Sequence, residues 1–260
     1  MERETRSSLI DRSGRQVRLT AAGRLLAAHA ERVAAQLRQA ERDLAELTGQ
    51  ASGPVRIAAF QSVMAPLIGP ALRRLAAASP AIQPVIAEGY GPAAVAALRL
   101  GDLDIVLTEY DAASPPPAEP GLGLRQLAFD PYLLVIPPDW QVSPRSLRDL
   151  AGRPWVAGPP GTACDHALRR LAAEAGIGIP AGDVCVEFPS VLALVAAGRG
   201  AAIIPRLALG QAPVTVCALP PLGGRHIAAW HEAGPAQPTP ATITVLDTLA
   251  QTSEASWQTP

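Results

Sequence analysis

Three groups of side chains in this sequence have types and spacings that could do chemistry. The first is a run of arginines: Arg12, Arg15 and Arg18 lie in a stretch with no acidic residue between Asp11 and Glu31. Guanidinium groups so placed can each neutralise a phosphate of a nucleic acid backbone, adding affinity without reading sequence; an ordinary solvated arginine face is the competing reading of the residues taken alone. The second is Cys164-Asp165-His166, which invites comparison with a thiol nucleophile and its base. Adjacent residues on a helix point about 100° apart, so this Cys and His do not form a working pair, and no catalytic residue is assigned. The third is His226 with His231, which lack a carboxylate or thiol at ligand spacing, so no metal site is expected. Nor is there a Walker or complete dinucleotide glycine motif, and no cofactor is expected.

The elements that must carry these groups follow from patterning. Ile10–Arg12 and Gln16–Leu19 flank Ser13-Gly14, which predicts a hairpin with its turn in solvent. Thr20 is a helix N-cap, and no proline occurs from Ala21 to Thr48, predicting a helix of about 28 residues and ~42 Å, stopped by Gly49. Within it Leu26, Ala30, Val33, Leu37, Ala40, Leu44 and Leu47 alternate steps of four and three, a heptad seam that a lone helix cannot bury. Pairing with a second copy is the expected resolution, with packing on the helix's own domain as the alternative.

After a Gln50–Pro54 linker, short apolar runs alternate with amphipathic stretches. Strands are expected at Val55–Ala59, Ile82–Ala87 and Asp104–Thr108, and helices at Val63–Ala78 and Pro92–Leu100, a β-α-β-α-β series that implies a parallel sheet covered by helices. A proline-rich loop from Asp111 to Gly123 ends this unit. Arg125–Pro137 is expected to be a long strand leading into a second unit: strands at Trp155–Ala157, Val184–Phe188 and Ala201–Ile204, helices at Ala163–Ala175 and Val191–Ala197. Strands at Val214–Leu219 and His226–Trp230 and a helix at Thr239–Thr252 close the chain. Two α/β lobes joined by crossing strands leave a cleft between them, the usual place for a small ligand.

Composition narrows the class. The 260 residues are 48% hydrophobic and 17% charged, which excludes a disordered chain. All 22 basic residues are arginine, and nine of them face seven acids in the first fifty residues, so the mildly basic part is the N-terminal one. Three scattered cysteines support neither a disulfide framework nor a zinc site and fit a reducing cytoplasm. No basic-then-apolar leader and no apolar run of about 18 residues occur, so no membrane partner is expected.

The segment Leu9-Ile-Asp-Arg12, Arg15-x-Val17-x-Leu19-Thr20-x-Ala22-Gly23 resembles the wing and linker-helix start of LysR-type transcriptional regulators. Gly53-Pro-Val-Arg-Ile57, Ser79-Pro80, Leu100-Gly-Asp-Leu-Asp-Ile105 and Gly198-Arg-Gly200 before Ile203-Ile204-Pro205 extend the resemblance over about residues 2–250. The resemblance implies an α/β fold: a two-lobed, periplasmic-binding-protein-like (type II) effector domain preceded by a winged-helix remnant and a long linker helix. The expected divisions are a wing over 1–19, a dimerising helix over 20–49, and an effector-binding domain over 53–250. Within the last, lobe I covers about 53–124 and 214–250 and lobe II about 125–213. The implied partners are DNA, a small-molecule effector, and further copies in a homodimer or homotetramer. Met1-Glu-Arg-Glu-Thr resembles the last turn of the family's recognition helix, so this chain is expected to lack the base-reading element and to bind DNA weakly.

The family places its effector in the cleft. Four hydroxyls form the expected contact set: Ser62 after the first strand, Thr108 at the end of the third, Thr162 before the helix at Ala163, and Ser190 opening the helix after Phe188-Pro189. Ser62 and Thr162 could equally serve as helix caps. With hydroxyls and backbone donors there, a small organic acid is the expected effector, and Arg125 and Arg206 are within conceivable reach of the cleft mouth. The rival reading is a stand-alone solute-binding or effector-sensing module of the same fold, which leaves the arginine wing and the heptad helix without a role.

Overall fold

The computed structural model describes residues 2, 7–11, 18–48, 51–180, 182–233 and 237–257, of which 31–32, 34–35, 38–39, 41–48 and 255–257 are described by their backbone alone. Strands β1 (Ile10–Asp11) and β2 (Arg18–Leu19) pair antiparallel, Ile10 opposite Leu19, which is the hairpin the sequence predicts; its turn, with Arg12 and Arg15, lies outside the described residues, as do the recognition-helix-like residues at the N-terminus apart from Glu2. Thr20 caps helix α1 (Ala21–Thr48) by accepting the Gly23 N–H at 3.0 Å, and donates its own proton to Ser8 O at 2.7 Å. A Cβ at Gly23 would stand 2.1 Å from Leu9 O, so only glycine lets the hairpin lie this close to the helix. On the expected seam Leu26 is half-buried, whereas Val33 and Leu37 are 61% and 64% exposed in the single chain. The side chains of Leu44 and Leu47, and Gly49 as the helix stop, lie outside what is described.

Lobe I begins with β3 (Gly53–Ala59), which pairs parallel with β4 (Ile82–Glu88) on one side and β5 (Ile105–Asp111) on the other, as the alternating pattern predicts. After β3 the chain is helical at Gln61–Val63, passes through a π-helical stretch at Met64–Ile68, and continues as α2 (Gly69–Ala78). Pro66 has no N–H to give to the preceding turn, and a widened turn accommodates it. Helix α3 (Gly91–Leu100) connects β4 to β5. The core here is aliphatic: Val55, Ile57, Leu67, Ile105, Leu107, Ile227 and Val245 are at most 1% exposed.

The sheet is not wholly parallel. Strand β6 (Leu122–Ile136) and strand β11 (Gly224–Glu232) run antiparallel to one another, and β11 runs antiparallel to β5, giving the order β6-β11-β5-β3-β4. Strand β6 is the crossing strand: its Leu122–Pro131 part pairs with β11, and from Tyr132 it pairs with β9 (Ala202–Pro205) and then β10 (Thr215–Val216). The first crossing therefore falls at Pro131-Tyr132, not at Arg125. The return falls near Gly223, because β10, placed in lobe I by the sequence reading, is hydrogen-bonded to the lobe II end of β6.

Lobe II holds β7 (Val156–Ala157) beside β8 (Asp183–Val184), with helix α4 (Ala163–Ala175) at the predicted bounds. Helix α5 (Phe188–Ala196) starts earlier than expected: Pro189 occupies its first turn, where a missing N–H costs nothing, and the strand predicted to reach Phe188 ends at Val184. At Gly200 a Cβ would stand 2.6 Å from Pro154 O, because Ala201 lies in a parallel bridge beside Trp155. Helix α6 (Pro240–Trp257), capped by Thr239 Oγ1 accepting the Thr242 N–H at 3.1 Å, packs back on lobe I. Among the described residues no helix is long and apolar enough to cross a membrane.

Candidate functional site

The lobes enclose a cavity of about 300 Å³. Lobe I contributes the turn after β3 (Phe60, Gln61, Ser62), the start of α3 with Tyr90, and Thr108-Glu109 of β5. Lobe II contributes the Gly158–Thr162 loop, the first residues of α4, and Cys185–Phe188 leading into α5. Thr108 and Glu109 lie within β5, past the point where its pairing with β3 ends and opposite Ala228 and Ile227 of β11. The turn after β3, the start of α3, the Gly158–Thr162 loop and the segment before α5 are strand ends and helix starts, where a loop can vary without disturbing the core.

Three of the four expected hydroxyls are brought together here, those of Ser62, Thr108 and Thr162. Ser190 is not among the lining residues: because α5 begins at Phe188, Ser190 falls on its exposed first turn, and Phe188 and Val191 face the cavity instead. Ser62 is not a helix cap either, since Phe60 holds that position without a side-chain bond. Its Oγ accepts from Arg225 Nη2 at 2.9 Å, which leaves its own proton for a ligand. Thr162 is a true cap. Its Oγ1 accepts the Asp165 N–H at 3.3 Å and donates to Pro159 O at 2.8 Å, so it shapes the loop more than it offers a free group.

The residue that sequence reasoning missed is Arg225, fully buried at the start of β11 behind the cavity wall. Its Nε donates to Asp130 Oδ2 at 3.0 Å, Nη2 also lies 2.9 Å from that oxygen, and Nη1 pairs with Glu109. Asp130 is 1% exposed on β6 and accepts the Leu207 N–H at 3.2 Å as well. Burial, with a smaller push from the neighbouring Glu109 charge, holds the Asp130 carboxyl above its usual range against the pull of Arg225 and the Leu207 N–H. Burial also works against the charge on Arg225, but Glu109 and Asp130 outweigh it and its pKa is raised. The signal in the sequence was two carboxylates and one guanidinium in otherwise largely apolar runs: Glu109 in Ile105–Tyr110, Asp130 in Leu127–Ile136, Arg225 before Ile227–Trp230. A charge in such a run has to find a partner.

A second ion pair spans the lobes. Arg170 of α4 donates from Nε to Asp111 Oδ2 at 3.1 Å, at the end of β5, and from Nη2 to Leu222 O at 3.3 Å beside the return crossing. The two arginines thus anchor both crossing strands next to the cavity. The other arginines considered do not serve it: Arg125 pairs with Asp247 of α6 at 2.7 Å, and Arg206 is exposed and outside the lining.

The cysteine question resolves on burial. Cys164 lines the cavity but is 6% exposed, and burial, with a smaller contribution from the Glu109 charge, raises its thiol well above the ordinary value. A helix N-terminus ordinarily favours a thiolate, but burial outweighs that here, so the group is a poor nucleophile at neutral pH. His226 packs against Tyr110 and Phe129 at ring-centroid distances of 5.3 and 5.4 Å, and among the described residues no group of three metal-ligating side chains forms.

A family model described as the LysR substrate binding domain matches residues 48–253. The chain belongs to the LysR family of transcriptional regulators. It is 30% identical over 224 residues to an uncharacterized HTH-type transcriptional regulator, YfeR, of Shigella flexneri, the match covering 80% of this chain and 67% of the relative. It is 31% identical over 214 residues to the HTH-type transcriptional regulator ShiR of Corynebacterium glutamicum (strain R), covering 78% and 69%. Among solved structures, the effector binding domain of QuiR in complex with shikimate has the same fold, with a TM-score of 0.68 at 16% identity over 78% of this chain and 98% of that one. The matches thus span about two thirds of the length of these curated relatives. For this LysR-family chain they place the two-lobed body, with its cavity, in the part of the family that senses a small molecule.

Proposed function

We propose that this LysR-family chain senses a small molecule in its inter-lobe cavity and reports it to DNA through a dimer built on α1, in the cytoplasm. The observation that carries the reading is the cavity itself: about 300 Å³, walled by aromatic rings and a few directed polar groups from both lobes, the usual character of a small-molecule site. A ligand touching both lobes favours the arrangement in which they close, and by that differential affinity alone it can shift the population. Support for pairing comes from the exposed Val33 and Leu37 on α1, whose apolar surface has no cover in one chain. Arg18, exposed on the hairpin, would stand with Arg12 and Arg15 toward phosphate groups. A lone solute receptor would have use for neither feature.

The test is a metabolite screen by thermal denaturation, repeated on Thr108→Trp, which fills the cavity from β5. A ligand at a hundredfold its Kd stabilises by about 2.7 kcal/mol, enough to raise the Tm by several degrees. The expected outcome is a rise in the wild-type chain and none in the variant. An equal rise in both would place the binding site elsewhere.

A further inference from the structure

We infer that the cavity is charged for a ligand bearing a positive group, a compact organic ammonium or guanidinium compound; this rests on the cavity being the effector site. The hydroxyls alone suit an organic acid, but carboxylates stand beside them in the lining. Glu109 enters the lining from β5 of lobe I and Glu187 from the segment ahead of α5 in lobe II, so each lobe supplies one carboxylate. Among the described residues no arginine or histidine side chain is in the lining, and the sequence has no lysine.

Arg225 does not reverse this balance. It has 0% exposure, and its nitrogens are already given to Asp130, Glu109 and Ser62. One guanidinium set against Asp130 and Glu109 leaves a negative charge, and Glu187 adds another. A ligand carboxylate would have to displace Glu109 from Arg225, or rest on backbone N–H groups while facing two like charges. A cation meets attraction from both walls.

The aromatic lining points the same way. Phe60, Tyr90 and Phe188 all border the cavity, and ring faces attract cations, most strongly where water is excluded. Phe60 and Phe188 each already hold the Arg225 guanidinium carbon 5.6 Å from the ring centroid, so the wall is arranged to accept positive charge on its buried side. Because the two carboxylates come from opposite lobes, they repel one another as the lobes approach, and a cation between them converts that repulsion into attraction. The ligand's charge, not only its bulk, then favours closure.

The test uses three probes of one shape, phenethylammonium, 2-phenylethanol and phenylacetate, titrated calorimetrically into the full chain at up to millimolar concentrations. Phenethylammonium is expected to bind about tenfold or more tightly than phenylacetate, with the alcohol between them, as one charge-assisted contact implies. Glu187→Gln, at a half-buried position outside the Arg225 cluster, is expected to weaken phenethylammonium about tenfold while leaving the Tm of the ligand-free chain unchanged. Glu109→Gln is expected to weaken it further at some loss of stability. Preferential binding of phenylacetate, blocked by Thr108→Trp, would overturn the charge assignment and leave the effector site standing. Ammonium binding indifferent to Glu187→Gln would overturn the assignment too, as would binding of none of the probes, while the effector site itself stands or falls by the metabolite screen on the wild-type chain and Thr108→Trp.

Discussion

Replacing Arg225 by Met removes the guanidinium and keeps most of the side chain's bulk, so the loss it causes is electrostatic. Asp130, 1% exposed, would keep only the Leu207 N–H as a partner, whereas Glu109 is open enough to take up water. Stranding one carboxylate in a buried pair costs about 3–5 kcal/mol, which for a domain of this size lowers the Tm by roughly 10 °C. The loss should depend on pH with a definite sign. Unpaired and buried, Asp130 has a folded-state pKa raised above its unfolded value, further than in the wild type, where burial already raises it against the pull of Arg225. Such a group's contribution is intact below the unfolded pKa and lost as pH rises through the folded one, so the variant recovers stability relative to wild type as the pH is lowered from neutral toward 5. Urea unfolding followed by circular dichroism at both pH values measures this. The double variant Arg225→Met with Asp130→Leu, which removes the stranded charge, is expected to regain about half of the loss. A loss under about 1 kcal/mol, or one that does not shrink on acidification, would refute the view that Arg225 is held by Asp130 in a water-poor site.

Three further outcomes are expected. Leu37→Glu places a charge on the exposed face of α1 and should convert a dimer to monomer in light scattering without altering the far-ultraviolet spectrum; an unchanged mass would remove α1 as the interface. Cys164 should be the slowest of the three cysteines to alkylate at pH 8, read by mass spectrometry of peptides, since burial suppresses its thiolate; fast labelling there would contradict that burial. Gly200→Ala must push apart Pro154 and the Trp155 bridge and should destabilise by about 1–3 kcal/mol, whereas Gly178→Ala, where an added Cβ meets nothing within 4 Å, should be nearly neutral.

The elements with strong local signals were legible from the sequence. The 28 residues of α1, its Thr20 cap, the β3-β4-β5 core and helix α4 fall where periodicity and capping put them, because each is specified by its own residues. What was not legible depends on distant pairing. That β6 and β11 enter the sheet antiparallel, and that the chain crosses at Tyr132, follows from which strand lies beside which, and apolar alternation is the same for either direction. The start of α5 was missed for a local reason: Glu187-Phe188-Pro189 reads as the end of a strand until proline is allowed at the helix's first position. That shift of register turned Ser190 out of the site and brought Phe188 in. Arg225 escaped because each of its partners is remote in sequence, Glu109 and Asp130 lying on other strands.

The most direct test of the inter-lobe site is a crystal structure of the chain bound to the strongest hit of the metabolite screen. The ligand is expected in one place, touching Thr108 or Glu109 from lobe I and the Gly158–Thr162 loop or Phe188 from lobe II, with the lobes no farther apart than in the free chain. A ligand seated on one lobe alone, or away from these residues altogether, would contradict it.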